Sequence, residues 1–296
     1  MRQMNFKETN GNMTLINYEG AENTVSVPDM EDGCPVTAIG AKAFLSRKTI
    51  TDLMLPPSVS YIGDWAFAHM KQLTRLTLSA QSYTLGKDVF LDCPLLQEIN
   101  LTQDTSGNAA LPRLLASTIT LLKTPSLFRP ELAGSSEHHA AWMTSYDQAL
   151  LAFLAAPDDG GFQPVFYGWF NDEDAEATQR PAYIASRRKD KIMLSFLRLS
   201  APFNLDLSTQ EALADFLRNE MLTHETDNLV WKIYLKEYIH DIRYAHILLD
   251  SGCVTSASLP EILPQLTEQN PEAAALFLKQ SEEWTSEKDF FDDFTL

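Results

Sequence analysis

Between Val36 and Leu101 the sequence repeats with a period of 23 residues. Ile39-Gly40, Ile62-Gly63 and Leu85-Gly86 mark one phase of the period, and Ala43-Phe44, Ala66-Phe67 and Val89-Phe90 a second. Leu53-Met54-Leu55, Leu76-Thr77-Leu78 and Ile99-Asn100-Leu101 mark a third. A fixed period of this length constrains the fold strongly. Each unit must bury its apolar face against its neighbours, which builds a solenoid.

Each repeat has a physical reading. The Leu-x-Leu triplet predicts a short strand with two residues facing a core and the middle one facing out. The Ile-Gly pair predicts a chain turn in which glycine takes a positive φ. Phe in the following Ala-Phe pair fills the core, and Ile50, Leu73 and Leu96, six residues after each Phe, extend an internal ladder. Cys93 reads as a small buried residue. Upstream, Met13–Tyr18 alternates apolar and polar, Glu19-Gly20 signals a turn, and Val25-Ser26-Val27 alternates again. These segments predict a β-hairpin that caps the solenoid, with Val27-Pro28 standing where Leu55-Pro56 stands 28 residues on.

The pattern Val36-x-x-Ile39-Gly40-x-x-Ala43-Phe44, then Ile50-x-x-Leu53-x-Leu55-Pro56-x-Ser58-Val59, resembles the BspA-like leucine-rich repeat family over about residues 12–125. The third repeat departs from it, with Leu85 for Ile, Val89 for Ala and no Pro after Leu101. Leu111, Leu115 and Leu121 keep the internal spacing loosely, as a terminal capping repeat would. The resemblance implies a bacterial source, a right-handed solenoid with a parallel sheet, and a binding role; many members are surface proteins. The outward strand positions then become the candidate partner-binding residues: Asp52 and Met54, Arg75 and Thr77, Glu98 and Asn100. Parallel neighbours lie about 4.8 Å apart, so Asp52, Arg75 and Glu98 should form an alternating charge ladder across the sheet.

Thr124-Pro125 to Pro130, then Gly134-Ser135-Ser136, punctuate the chain. The expected organisation is a leucine-rich repeat domain at 1–126 with its hairpin cap, a linker at 127–137 and a helical domain at 138–296. In the last of these, Tyr146–Ala156 reads as an amphipathic helix halted by Pro157-Asp158-Asp159-Gly160-Gly161. Phe166, Tyr167, Trp169 and Phe170 make a dense aromatic cluster. Further helices are expected from Ile192 to Leu199, from Ser208 (as N-cap, with Glu211 completing a capping box) to Met221, and over 229–239, 244–249, 258–266 and 271–280. The paired helices resemble degenerate ankyrin-type stacks, without the Thr-Pro-Leu-His signature. The fold class is therefore α+β: a short leucine-rich repeat solenoid followed by an all-α helical-hairpin repeat domain.

Charge divides the chain unevenly. Residues 1–130 carry 11 Lys+Arg against 12 Asp+Glu, and residues 131–296 carry 12 against 28, out of a net charge of -17. So acidic a second half repels nucleic acid and anionic membrane surfaces. No window has the length of apolar residues that spans a bilayer, and the amino terminus lacks the apolar core of a signal peptide. Three widely spaced cysteines fit a reducing cytoplasm. No Gly-x-Ser-x-Gly, phosphate loop or Gly-x-Gly-x-x-Gly occurs. His138 and His139 are adjacent, His240 and His246 six apart, and Asp172-Glu173-Asp174 lacks calcium-loop spacing, so no metal, cofactor or catalytic residue is expected. The leading reading is a non-enzymatic cytoplasmic scaffold that binds a protein through the sheet face, the helical domain or both. Two alternatives stand beside it: a ligand-binding protein or enzyme with its site at the domain junction near the aromatic cluster, and an exported surface adhesin. The acidic-aromatic tail Asp289-Phe290-Phe291-Asp292-Asp293-Phe294 reads either as a docking motif or as a helix end folding onto the core.

Overall fold

The 23-residue period becomes the step between hydrogen-bonded strands in the computed structural model, which describes residues 3–163, 172–223, 228–255 and 258–292. The chain divides into two compact units, Met1–Leu150 and Leu151–Leu296. Among the described residues the first unit holds ten strands. They are β1 (Gln3–Thr9), β2 (Asn12–Glu19), β3 (Thr24–Ser26), β4 (Met30–Glu31), β5 (Cys34–Ile39), β6 (Asp52–Met54), β7 (Tyr61–Ile62), β8 (Arg75–Ser79), β9 (Thr84–Leu85) and β10 (Glu98–Thr102). One sheet, in the order β10-β8-β6-β3, is parallel throughout and aligns Val25, Leu53, Leu76 and Ile99, all fully buried. The other runs β1-β2-β5-β7-β9, with β4 beside β5, and aligns Leu15, Ile39, Ile62 and Leu85. Between the strands of successive rungs stands a column of rings. Tyr18, Phe44, Phe67, Phe90 and Phe128 follow one another at centroid distances of 5.3, 5.8, 5.5 and 5.9 Å. Ile50, Leu73 and Leu96 are buried as the repeat requires.

The glycines of the repeat act differently from the expectation. None of Gly40, Gly63 and Gly86 has a positive φ. A Cβ on Gly63 would come within 2.6 Å of the Ala41 amide nitrogen, and one on Gly86 within 2.5 Å of the Asp64 nitrogen. These glycines let the backbones of successive rungs touch. The left-handed positions lie elsewhere, again at the period: Lys42, Trp65 and Asp88, then Ser46, His69 and Asp92, with φ from 50° to 62°. Inter-rung hydrogen bonds hold four of them, Lys42 N–H to Asp64 O (2.9 Å), Ser46 to Ala68 (2.9 Å), Trp65 to Lys87 (2.9 Å) and His69 to Leu91 (2.8 Å).

Both caps also depart from the sequence reading. The hairpin pairs β2 with β1, not with the Val25 segment, which lies in the other sheet. Asn10 and Gly11, at φ 52° and 76°, make its turn. At the other end α1 (Leu111–Thr120) closes the core against β10. Leu111, Leu114, Leu115 and Leu122 are buried there, while Leu121 stays partly exposed. Residues 127–137 include α2 (Pro130–Ala133) and the buried Phe128 that ends the ring column. The Trp142 indole N–H donates to Leu127 O at 2.9 Å, and Thr105 N–H to Gly134 O at 2.9 Å.

Helix α3 (His139–Ala155) begins seven residues before the expected Tyr146 and stops at the Pro157–Gly161 turn. The second unit is helical: α4 (Asp172–Leu199), α5 (Leu207–Thr223), α6 (Leu229–Ile233) running into a π-turn at Tyr234–Tyr238, α7 (Ile242–Asp250), α8 (Leu259–Gln269) and α9 (Pro271–Asp292). Its core gathers Ile192, Phe196, Leu217, Trp231, Leu248 and Phe277. Helix α4 starts about twenty residues before Ile192; its first turns are mostly polar, so no strong hydrophobic period announced them in the sequence. The N-cap of α5 is Asp206, not Ser208. Its carboxylate accepts the Thr209 N–H at 2.9 Å and the Ser208 hydroxyl at 2.6 Å, so Ser208 lies inside the helix. The protein is thus a parallel-sheet solenoid of about four turns followed by a mostly helical region.

Candidate interaction surface

On the four-stranded sheet the period aligns outward side chains as well as inward ones. Register places Thr24, Asp52, Arg75 and Glu98 in one row, and Ser26, Met54, Thr77 and Asn100 in the next but one. The six residues expected to bind a partner therefore share one face. Arg75 Nη1 donates to Asp52 Oδ1 at 2.6 Å, and its Nε donates to Glu98 Oε2 at 3.2 Å. The Thr51 hydroxyl donates to the other Asp52 oxygen at 2.7 Å. These pairs stand in water, where each contributes a few tenths of a kcal/mol, so the charge row stiffens the face more than it stabilises the fold. Met54, 39% exposed, is an apolar point in an otherwise polar row.

A second surface lies on the turn segments between the two sheets along the chain, and the sequence reading did not single it out. Here Lys42 Nζ sits 5.0 Å from the Trp65 ring centroid. Asp92 accepts from His69 Nδ1 at 2.8 Å and from Lys71 Nζ at 2.5 Å, and these two donors hold its carboxyl below the ordinary aspartate range, Lys71 contributing most. Leu91 and Leu95 are exposed nearby in sequence, at 47% and 39%. The signal was present as the 23-residue spacing of Lys42 with Trp65 and of His69 with Asp92. It was hidden because outward positions carry no hydrophobic pattern.

The remaining sequence candidates separate. His139 is buried; its Nδ1 donates to Ala133 O at 2.6 Å and its Nε2 accepts from the Asn108 amide at 3.1 Å. His138, on the surface, meets the Ser135 hydroxyl at 3.1 Å. His240 and His246 are exposed. Phe166, Tyr167, Trp169 and Phe170 lie outside the described residues, as do the side chains of Asp172, Glu173 and Asp174 and of the acidic-aromatic tail. Among the described residues no group of three His, Cys, Asp or Glu is placed to hold a metal ion, and no helix is long and apolar enough to cross a membrane.

Residues 22–120 match the BspA type Leucine rich repeat region in six copies. Such repeats are generally protein-interaction modules. Similar solved structures include a leucine rich repeat protein of T. pallidum, 26% identical over 35% of this chain and 48% of that one, at a TM-score of 0.32. A leucine-rich repeat protein from Bacteroides capillosus is 31% identical over 32% of this chain and 75% of that one, at 0.30. A leucine rich cell surface protein from Faecalibacterium prausnitzii is 25% identical over 33% and 29%, at 0.30. The chain thus spans about half of the first, three quarters of the second and under a third of the last. No curated protein matches it.

Proposed function

Because the amino-terminal part of this chain is a BspA-type leucine-rich repeat region, we propose that the protein is a non-enzymatic interaction scaffold whose four-stranded sheet face binds a protein partner. The observation that carries this reading is the register of that sheet. It brings Asp52, Met54, Arg75, Thr77, Glu98 and Asn100 onto one outward face in three adjacent rungs.

Size sets the character of the contact. Four strands span roughly 14 Å, and three to five residues along each strand give roughly 10–17 Å. That area, roughly 200 Å², is well under the roughly 800 Å² per partner of a stable interface. The sheet face therefore serves as one part of a larger footprint, extended by the neighbouring loops of the solenoid. A reducing cytoplasm suits the three unpaired thiols Cys34, Cys93 and Cys253; cell fractionation tests that placement. The binding itself is tested by capture from native lysate with the wild-type chain and with Arg75→Glu. A partner held by the sheet face is lost, or weakened at least about tenfold, by the reversal. Identical capture by both baits removes the sheet face from the proposal.

A further inference from the structure

We infer that the turn segments of the first regular rungs form a second docking surface, built for an acidic peptide that presents a large apolar side chain. This surface is separate from the sheet face and does not depend on it. Its centre is a depression of about 310 Å³ lined by Lys42, Leu45, Ser46, Trp65, His69 and Leu91. Its apolar lining comes from the Trp65 ring, Leu45, Ala68 and the exposed Leu91. The charges around it are unequal. Asp92 is held by both His69 and Lys71, whereas Lys42 has no carboxylate partner among the described residues, only the indole face. An ammonium ion left without a carboxylate beside an apolar trough suits a carboxylate followed by an apolar anchor. The column through this site runs Lys42, Trp65, Asp88. The acid of the partner is thus directed to the Lys42 end and kept from the Asp88 end, which fixes the polarity of the bound segment. The chain as a whole is strongly acidic, but screening confines the competition to roughly the nearest 10 Å at 0.1 M salt.

Backbone conformation supports a use for these side chains. Trp65 and His69 have φ of 54° and 59°, a region that glycine and asparagine enter easily and bulky residues rarely do. The two rings are not core: His69 is exposed and Trp65 only half-buried. The left-handed backbone belongs to the repeat, since Lys42, Asp88, Ser46 and Asp92 share it; particular to this rung is that it carries two rings at those positions, outside the core.

The test uses the full chain and a fluorescent peptide with the sequence of residues 286–296, which supplies four acidic and three phenylalanine residues. Variants are Lys42→Asn and Trp65→Asn, which suit the positive φ and so keep the fold, with Arg75→Glu as the sheet-face control. The expected result is saturable binding that falls at least about tenfold in each asparagine variant, persists in Arg75→Glu, and disappears when the peptide phenylalanines become alanine. Thermal unfolding of Trp65→Asn should match or exceed that of the wild type; a large loss would make Trp65 a structural residue and overturn the proposal. So would absence of saturable binding by the wild type, or equal weakening in Arg75→Glu. A concentration-dependent dimer that Trp65→Asn abolishes, without peptide binding, would assign the face to a second copy of the chain instead.

Discussion

An added methyl at Gly63 would lie 2.6 Å from the Ala41 nitrogen and 2.9 Å from the Gly40 carbonyl carbon, both backbone atoms of the preceding rung. A backbone neighbour cannot swing aside as a side chain can. Gly63→Ala should therefore push two rungs apart and lower stability by about 1–3 kcal/mol. Gly11, at φ 76° with open space around its Cβ position, gives the contrast. There alanine meets only conformational strain of roughly 1–2 kcal/mol. Urea unfolding separates the two: Gly63→Ala should also perturb the near-ultraviolet signal of the neighbouring Trp65, and Gly11→Ala should not. The sequence marked Gly63 as special but gave no way to distinguish a positive φ from close approach, since both exclude a Cβ. The thiols carry a second residue-scale expectation. Burial, with a smaller push from Asp92, raises the Cys93 thiol from an ordinary value of 9.0 to about 11, and burial raises Cys253 to about 12. At pH 8 a thiol reagent should label the partly exposed Cys34 and reach the other two only after denaturation. Above pH 9 the unfolded thiols lose protons that the folded ones keep, so the unfolded state binds fewer protons and stability falls as pH rises toward 11. Mass spectrometry of the labelled chain and urea midpoints across that range check both statements.

Elements that repeat were legible because each strand and each Phe is confirmed by a copy 23 residues away. Elements that end the repeats were not, because a cap occurs once. Phe128 completes the ring column from 38 residues beyond Phe90, outside the period and within a segment marked by two prolines. Phe128→Ala should cost about 3–5 kcal/mol, since it removes a buried ring whose neighbours cannot follow it inward. Equilibrium unfolding measures this, and a loss under 1 kcal/mol would show that the column ends at Phe90. Helix α5 makes the same point about boundaries. Its start was placed at Ser208 from a Ser-x-x-Glu pattern, but Asp206 provides the cap, with the Ser208 hydroxyl, the Thr209 N–H and the Thr209 hydroxyl drawing its carboxyl down to about 2. A carboxyl lowered on folding contributes stability above its unfolded value near 3.8, and that contribution is lost as pH falls toward 2. Asp206→Ala should lower the thermal midpoint at pH 7, whereas Asp206→Asn, also a good N-cap, should keep most of it. Ser208→Ala should have the smaller effect. Strand alternation together with the 23-residue period was enough to put the six sheet-face residues on one face, as the strand register has them, while the Lys42–Trp65 surface needed the turn geometry.

Across the whole molecule, most of the negative charge lies in the second unit. Residues 1–150 carry 11 basic and 15 acidic groups, and residues 151–296 carry 12 and 25. The net charges are therefore -4 and -13. The first unit also has its oppositely charged groups arranged as attractive neighbours, Arg75 with Asp52 and Glu98, and Asp92 with His69 and Lys71. Salt screens those attractions and slightly weakens the solenoid. In the second unit the Arg188–Glu220 pair is nearly buried and weakly screened, while the excess of carboxylates repels across the surface. Salt screens that repulsion. Raising sodium chloride from about 0.05 to 0.5 M, which shortens the screening length to a few ångströms, should therefore stabilise residues 151–296 and leave 1–150 unchanged or slightly less stable. Hydrogen exchange followed by mass spectrometry reads both units in one sample. Slower exchange in α5, α7 and α8 at high salt, without slowing in β6 and β8, is the expected outcome. Equal slowing in both units would mean that salt acts through general exclusion from the surface, and the asymmetry of charge would then have no bearing on stability.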